Sequence, residues 1–197
     1  EILKRFGYFV TESSEHFAEY VPWFIKKNRN DVIKKYKIPI EEYIDRCENN
    51  IKLWNDLEKD MSPIYDQPLS RSNEYASYIF DGIVNGNEIT INANIMNEGY
   101  IENLPSNCCV EVPCIINSNG FMPQKIGKLP EQLTALMRTN INVQILTAEA
   151  ALTKKREHIY HAAMLDPLTG ANLTIDEIYD MTDKMIEAHG DYLPQYN

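Results

Sequence analysis

Long hydrophobic runs, glycines and basic residues are all scarce in this 197-residue chain, and each scarcity excludes a class of protein. No apolar run approaches the roughly 20 residues that a membrane-spanning helix needs, so we expect no membrane partner. Only 8 glycines occur, and none stands in a G-x-G motif that could hold a dinucleotide phosphate. The 19 basic residues are outnumbered by 29 acidic ones, and the resulting net charge of −10 argues against nucleic acid as a partner.

Cysteines are few as well. Cys47, Cys108, Cys109 and Cys114 lack the paired spacing of a zinc site, and their density is far below that of a disulfide-stabilised secreted domain. We therefore expect reduced thiols that pack as small hydrophobic side chains. The start of the sequence has no signal-peptide pattern, so the sequence predicts a soluble cytoplasmic protein.

Apolar residues at three- and four-residue spacing predict most of the helices. The clearest case is residues 40–57, whose apolar positions form one stripe and predict one buried face. Residues 131–152 are apolar nearly all round, which predicts a long buried helix. A capping box of Thr174 and Glu177 predicts the start of the last helix. Helices are also expected over 31–36, 72–84, 155–165 and 175–188, and Asn85-Gly86-Asn87 predicts a left-handed cap that ends the second of these.

Two segments have the pattern of β-strands. Residues 88–96 alternate apolar side chains with polar ones, mostly asparagine, which predicts one buried face and one face of amides. Residues 108–116 are apolar on both faces and predict a central strand, followed by a turn at Asn119-Gly120. Phe6–Val10 also has the composition of a strand or an extended entry segment.

The densest group of ionisable side chains lies between Thr11 and Phe24, where carboxylates, hydroxyls and one histidine alternate with aromatic residues. Aromatic and polar groups side by side suit a pocket that stacks on a sugar ring and binds its hydroxyls. The alternative is a surface helix with a serine N-cap and acidic residues near its positive end. The residues alone leave both interpretations open.

Several segments together closely resemble the C-terminal half of glycoside hydrolase family 4, in particular its α-galactosidase (melibiase) branch. The resemblance runs through nearly the whole chain and is carried by Phe6–Tyr20, Glu74–Ser77, Asn103–Pro105 with Val110–Pro113, Thr139–Gln144, and His161–Met164. It implies an α+β fold of helices packed on a small, mostly antiparallel sheet, similar to the C-terminal domain of lactate and malate dehydrogenases. It also implies that residues 1–197 form the substrate-binding and oligomerisation domain. The family's N-terminal NAD-binding Rossmann domain would be absent from this chain.

The same resemblance implies the chemistry. Family members hydrolyse glycosides by oxidation, elimination, addition and reduction, outside the two-carboxylate scheme of most glycosidases. The implied cofactors are NAD and Mn²⁺, bound mainly by the missing half, so this chain alone is expected to be inactive and to hold no metal or cofactor ligand itself. The implied partners are an α-galactoside, the N-terminal domain and further copies of the chain. An α-glucosidase, an α-galacturonidase and a non-catalytic oligomerisation module derived from the family are the alternatives.

The resemblance also suggests which residues form the site. The tyrosine that acts as base in some branches of the family falls at His16, and the aspartate of others falls near Ser14; His16, Glu15 and Glu12 are thus the candidates for the catalytic base. The candidates for sugar binding come from the same segment, from the loop before the helix at 72–84, and from the polar positions after the first strand and on the long helix. They are Ser13, Ser14, Tyr20, Arg71, Asn97, Asn103, Arg138 and Asn140.

Overall fold

Helices make up most of the structure, and one small sheet lies in the middle of the chain. The computed structural model describes residues 1–10, 14–59, 68, 70, 72 and 74–197, without the side chains of Ser14 and Glu15. Its elements are α1 (Ile2–Phe6), α2 (Ser14–Glu19), α3 (Asn30–Tyr36), α4 (Glu42–Lys59), α5 (Ala76–Asn85), β1 (Ile89–Met96), β2 (Cys109–Asn117), β3 (Gly120–Pro123), α6 (Glu131–Thr153), α7 (Glu157–Leu165), α8 (Pro167–Asn172) and α9 (Ile175–His189), with a 3-10 turn at Gly190–Tyr192.

The sheet is antiparallel with strand order β1-β2-β3, which confirms the predicted α+β class. β2 is central, as its apolar sequence predicted, and β1 lies along it with Ile91 opposite Cys114. The hairpin from β2 to β3 closes at the predicted turn, where Gly120 has a φ of 99° that favours glycine. The third strand was not predicted.

The buried face of the sheet carries the main core. Val110 and Val112 of β2 pack with Ile101 and Leu104 of the loop between β1 and β2 and with Ile141 of α6. The opposite face of β2 was expected to be buried too, but Glu111 on that face is exposed. The physical reason is that the described helices pack against the other side of the strands, and this face is at most half-buried.

Helix α5 packs at the other end of the same face. A Cβ on Gly82 would lie 3.1 Å from the carbonyl oxygen of Asn87 and 3.3 Å from that of Ile116. The missing side chain therefore lets the helix approach the strands closely. The helix ends at Gly86 in the left-handed conformation (φ 77°), as the sequence predicted.

The C-terminal helices follow the sequence predictions closely. The capping box at the start of α9 is present, with the Thr174 hydroxyl accepting from the Glu177 N–H and the Glu177 carboxylate accepting from the Thr174 N–H. Gly190 caps the other end. Helix α7 packs between α6 and α9. The short helix α8, which begins at Pro167 with Asp166 as N-cap, was not predicted.

Three predictions about the outer elements were wrong. Phe6–Val10 is not a strand, because α1 runs through Phe6 and Gly7 ends it with a φ of 80°. Helix α4 forms, yet none of its 18 residues, all described, is buried. In α6 only Thr134, Ile141 and Ala150 are buried, because only one side of this helix contacts the rest of the described chain.

The four cysteines are free thiols. Cys108 and Cys114 are buried like the small hydrophobic residues they were expected to resemble. Cys109 is exposed, contrary to expectation, because its side chain lies on the uncovered face of β2. Among the described helices, none combines the length and the apolar character that crossing a bilayer requires.

Candidate functional site

The segment expected to hold the catalytic base forms the short helix α2. His16 and Glu19 lie on its outer side, with Nδ1 of His16 3.3 Å from Oε2 of Glu19 and about half of each side chain exposed (48% and 50%). Because an ionised carboxylate can only accept, Nδ1 is the donor in this pair. In the neutral ring this arrangement leaves the lone pair on Nε2.

The inner side of α2 lines a pocket of about 410 Å³. Ala18 is buried there, and the ring of Phe17 meets that of Phe24 edge to face at 6.3 Å. Tyr36 closes the group, since its ring lies 5.1 Å from that of Phe24. The segment Thr11–Phe24 thus lines a pocket, but the side chains that it contributes to the lining are apolar ones. His16 is not among the pocket's lining residues.

Helix α2 is joined to the long helix α6 through the residues that follow it. Nδ2 of Asn140 donates to the carbonyl oxygen of Tyr20 at 3.2 Å, and Val21 beside it is 1% exposed. The ring of Tyr20 remains 54% exposed. Two predicted sugar-binding residues, Tyr20 and Asn140, are therefore brought together, although one amide hydrogen of Asn140 is used in holding the segment.

Arg138, two residues before Asn140 on α6, contacts Asn103 of the loop between β1 and β2. The guanidinium of Arg138 donates to the carbonyl oxygen of Asn103 at 2.7 Å, while its side chain stays exposed. The side-chain amide of Asn103 bonds to the backbone of Leu129 and not to Arg138. It donates to the carbonyl oxygen of Leu129 at 2.8 Å and accepts from the Leu129 N–H at 3.0 Å. Asn103 thus fixes the loop before α6, and the free part of the Arg138 guanidinium faces solvent.

Asn97 has a different position from the one expected of a sugar ligand. It is 0% exposed, and its Nδ2 contacts the carbonyl oxygens of Ile101, Leu104 and Pro105 at 2.9, 3.2 and 3.0 Å. Its Oδ1 accepts from the Ile101 N–H at 2.7 Å. Every donor of the amide is used in holding the loop after β1, so we assign Asn97 a structural role and leave it out of the site.

The other predicted site residues cannot be placed at the level of side chains. Ser14 and Glu15 belong to the first turn of α2 by their backbone only. Glu12, Ser13 and Arg71 lie outside the described residues.

The residues described in this chain do not fit the implied cofactors by themselves. No three side chains of His, Cys, Asp or Glu among them come together as a metal site. The sequence also has no glycine-rich turn for a dinucleotide phosphate. Any Mn²⁺ or NAD would depend on ligands from outside this set.

One polar cluster was not predicted from the sequence. Asp183 of α9 accepts hydrogen bonds from the hydroxyl of Tyr160 and, at 2.7 Å, from the guanidinium of Arg156. These two bonds hold the pKa of the Asp183 carboxyl below its usual value, and the bond to Asp183 raises the pKa of the Tyr160 phenol. The only signal in the sequence was the i,i+4 spacing of Arg156 and Tyr160. The cluster joins α7 to α9 and is a structural feature.

Comparison with known proteins places this arrangement in a family. Residues 1–169 match the sequence model of the family 4 glycosyl hydrolase C-terminal domain. The chain is 46% identical over 196 residues to an α-galactosidase of Bacillus subtilis and 32% identical over 209 residues to an α-galactosidase of Rhizobium meliloti. All of this chain is covered in both cases, but only 45% and 42% of the relatives, so it spans less than half of their length.

Solved structures agree on the fold. The crystal structure of the lplD protein of Bacillus subtilis superposes on 93% of this chain and 41% of its own with a TM-score of 0.78 at 22% identity. A 6-phospho-α-glucosidase from gut microorganisms, solved in complex with NAD and Mn²⁺, covers 67% of this chain and 30% of its own with a TM-score of 0.59, also at 22% identity. This chain belongs to the family 4 glycosyl hydrolases and corresponds to the C-terminal domain of that family.

Proposed function

We propose that this chain is the sugar-binding half of an α-galactosidase that depends on NAD and a divalent metal. The observation that carries the proposal is the 46% identity to an α-galactosidase over the whole chain. A second α-galactosidase at 32% identity, also matched over the whole chain, supports the same substrate class. A structural neighbour, the 6-phospho-α-glucosidase from gut microorganisms, was solved in complex with NAD and Mn²⁺. We place their binding mainly in an N-terminal Rossmann domain outside this chain.

In this proposal the sugar lies against the outer side of α2 and extends across α6 to Arg138. The exposed ring of Tyr20 stacks on the apolar face of the sugar, and the free N–H groups of Arg138 bind its hydroxyls. Asn140 positions Tyr20 by donating to its backbone carbonyl, and the backbone carbonyl of Asn103 positions Arg138 by accepting a hydrogen bond from its guanidinium. Ser13, Ser14 and Arg71 stay candidates for further hydroxyl contacts.

His16 is proposed to be the catalytic base. Glu19 accepts from Nδ1, which fixes the ring and favours the tautomer in which Nε2 can accept a proton. The cofactors, held mainly by residues outside this chain, would supply redox and Lewis-acid chemistry at the sugar. The role of His16 in this proposal is to remove a proton from a carbon atom of the sugar and to return it later. Glu15 and Glu12, the neighbouring carboxylates, are the alternative bases.

The test uses the complete gene product assayed with p-nitrophenyl α-galactoside, NAD⁺, Mn²⁺ and a reductant. His16→Ala should lower kcat at least about tenfold, the scale of lost general-base catalysis. His16→Asn should be equally slow, because it can still bond to Glu19 but cannot carry a proton. The matched control is His189→Ala, which removes another exposed helical histidine at the far end of the chain; its kcat should be unchanged.

The outcomes separate the substrate class from the base. No turnover of the α-galactoside under any combination of additives would refute the proposed activity. Turnover that survives in His16→Ala would leave the activity standing and transfer the role of base to Glu15 or Glu12. The isolated chain, without the rest of the gene product, should show no turnover.

A further inference from the structure

The segment that joins α2 to α3 is held by one side chain from the other end of the chain. Residues 20–29, all described, form neither helix nor strand, so their backbone groups need partners elsewhere in the fold. Nδ2 of Asn172 donates to the carbonyl oxygen of Ile25 at 3.0 Å, and Oδ1 of Asn172 accepts from the Lys27 N–H at 2.6 Å. These two hydrogen bonds, which we call the Asn172 clamp, join the segment to the C-terminal helices across 147 and 145 residues of sequence.

The amide of Asn172 is oriented for this contact by its own helix. Asn172 is the last residue of α8, and its Nδ2 also donates to the carbonyl oxygen of Leu168 at 2.9 Å. Both donor hydrogens and the acceptor of the amide are therefore used. The two backbone groups that it binds lie on either side of Lys26, as they do where a strand faces a parallel neighbour. The side chain thus binds the segment as a peptide group would.

An ion pair lies beside the clamp and contributes less to it. Nζ of Lys27 is 3.2 Å from Oε1 of Glu177 on α9, and the two side chains are 60% and 45% exposed. Exposed ion pairs of this kind are weakened by solvent and by salt. Asn172 is half-buried and bonds to the backbone itself, so we assign it the main part in holding the segment.

The clamped segment supports the inner side of α2. Phe24 directly precedes Ile25, and its ring meets the ring of Phe17 edge to face at 6.3 Å. Phe17 follows His16 on α2. A continuous path of contacts therefore runs from the Asn172 clamp through the two rings to the helix that carries the proposed base.

We propose that Asn172 is a positioning residue for His16. It acts by holding the backbone against which α2 packs, and it takes no part in the chemistry itself. Tyr20 is held separately by Asn140, so loss of the clamp should displace His16 more than Tyr20. A displacement of about 1 Å at a reacting group can cost on the order of 100-fold in rate, so even a partial displacement should be measurable. This inference rests on the proposed function of His16.

The first test measures the kinetics of the complete gene product with p-nitrophenyl α-galactoside. Asn172→Ala should lower kcat about tenfold and change KM less than about twofold, because the contacts that hold Tyr20 and Arg138 remain. Asn172→Asp keeps the acceptor for the Lys27 N–H and should retain more of kcat than Asn172→Ala. Circular dichroism gives the folded fraction to which each kcat is referred.

The matched control for this test is Asn117→Ala. Asn117 lies at the turn between β2 and β3, where its amide also accepts from a backbone N–H, that of Asn119 at 2.9 Å, and donates to Glu88 at 3.0 Å. Its loss should leave kcat unchanged. Equal kcat in Asn172→Ala and Asn117→Ala would overturn the proposal, and so would a raised KM at the kcat of the parent protein.

The second test does not depend on the activity. Amide hydrogen exchange, measured by mass spectrometry of peptides that cover residues 14–29, should be faster in Asn172→Ala than in the parent protein, because the segment opens more often without the clamp. Exchange of these peptides in Asn117→Ala should equal that of the parent. Unchanged exchange in Asn172→Ala of an active enzyme would overturn the positioning role alone. Absence of turnover in the parent protein would instead refute the proposed activity, and with it the catalytic consequence of the clamp.

Discussion

Replacing Asn97 by alanine should destabilise this protein without altering a residue that contacts substrate. Two of the groups that the buried amide holds have other partners, since the carbonyl oxygen of Ile101 also accepts from the Leu104 N–H at 3.3 Å and that of Pro105 from the Cys108 thiol at 3.1 Å. The Ile101 N–H and the Leu104 carbonyl have no other hydrogen bond among the described residues. An unsatisfied buried group costs about 1–3 kcal/mol. Asn97→Ala should therefore lower the free energy of unfolding by about 3 kcal/mol.

Urea denaturation of the complete gene product, followed by circular dichroism, measures this change. Asn94→Ala is the matched control, because Asn94 lies three residues earlier on the exposed face of β1 and should change the free energy of unfolding by less than about 0.5 kcal/mol. The KM for the α-galactoside should not change in Asn97→Ala under conditions where the variant is folded. A variant of wild-type stability with a raised KM would refute the structural role and return Asn97 to the sugar site.

Three further predictions concern other parts of the chain. Thr174→Ala should lose about 1 kcal/mol of stability, because the N-cap of α9 is removed, whereas Thr174→Ser should keep it; urea midpoints of the two variants make the comparison. The pKa of Asp183 is lowered by the hydroxyl of Tyr160 and then by Arg156, so its contribution to stability is complete above the usual pKa near 3.8 and is lost as the pH falls through the lowered value; stability curves should therefore fall less steeply below about pH 4 in Asp183→Asn, and parallel curves would contradict this. Cys109 should react with a maleimide in the folded protein well before Cys108, since burial of Cys108 both shields its thiol and raises its pKa; mass spectrometry of the labelled peptides gives the order, and equal rates would show that the loop opens.

Local sequence patterns predicted the elements of this fold where one short-range interaction determines each of them. The start of α9 depends on two side chains three residues apart, and the end of α5 depends on one glycine with a positive φ. The alternation along β1 and the turn before Gly120 are equally local. Of the two interpretations of Phe6–Val10, a strand or an extended entry segment, the strand was wrong because the aromatic composition was compatible with either state, and the glycine at position 7 ends a helix.

The candidate site was predictable as a segment, but not as a set of contacts. The polar and aromatic composition around His16 predicted a sugar-binding segment at α2, and the resemblance to a family predicted that this segment carries the catalytic base. The sequence could not show that Asn97 turns inward, because the carbonyl groups it binds belong to a loop whose path depends on the whole core. Nor could the sequence show that the side-chain amide of Asn140 donates a hydrogen bond to the backbone carbonyl of Tyr20, which is 120 residues away in the chain.

The differences between predicted and observed burial have a common cause. Helical periodicity reports which side chains are covered in the complete, assembled protein, whereas the observed burial reports only what this chain covers by itself. In the relatives, more than half of the length lies outside the region that this chain matches. Apolar positions that are exposed here, such as Trp54 on α4, Val84 on α5 and Leu152 on α6, are therefore the places where we expect further surfaces to pack. Substitution of Val84 or Leu152 by glutamate should therefore weaken the attachment of the rest of the gene product to α5 or α6, whereas the free energy of unfolding of this region should hardly change.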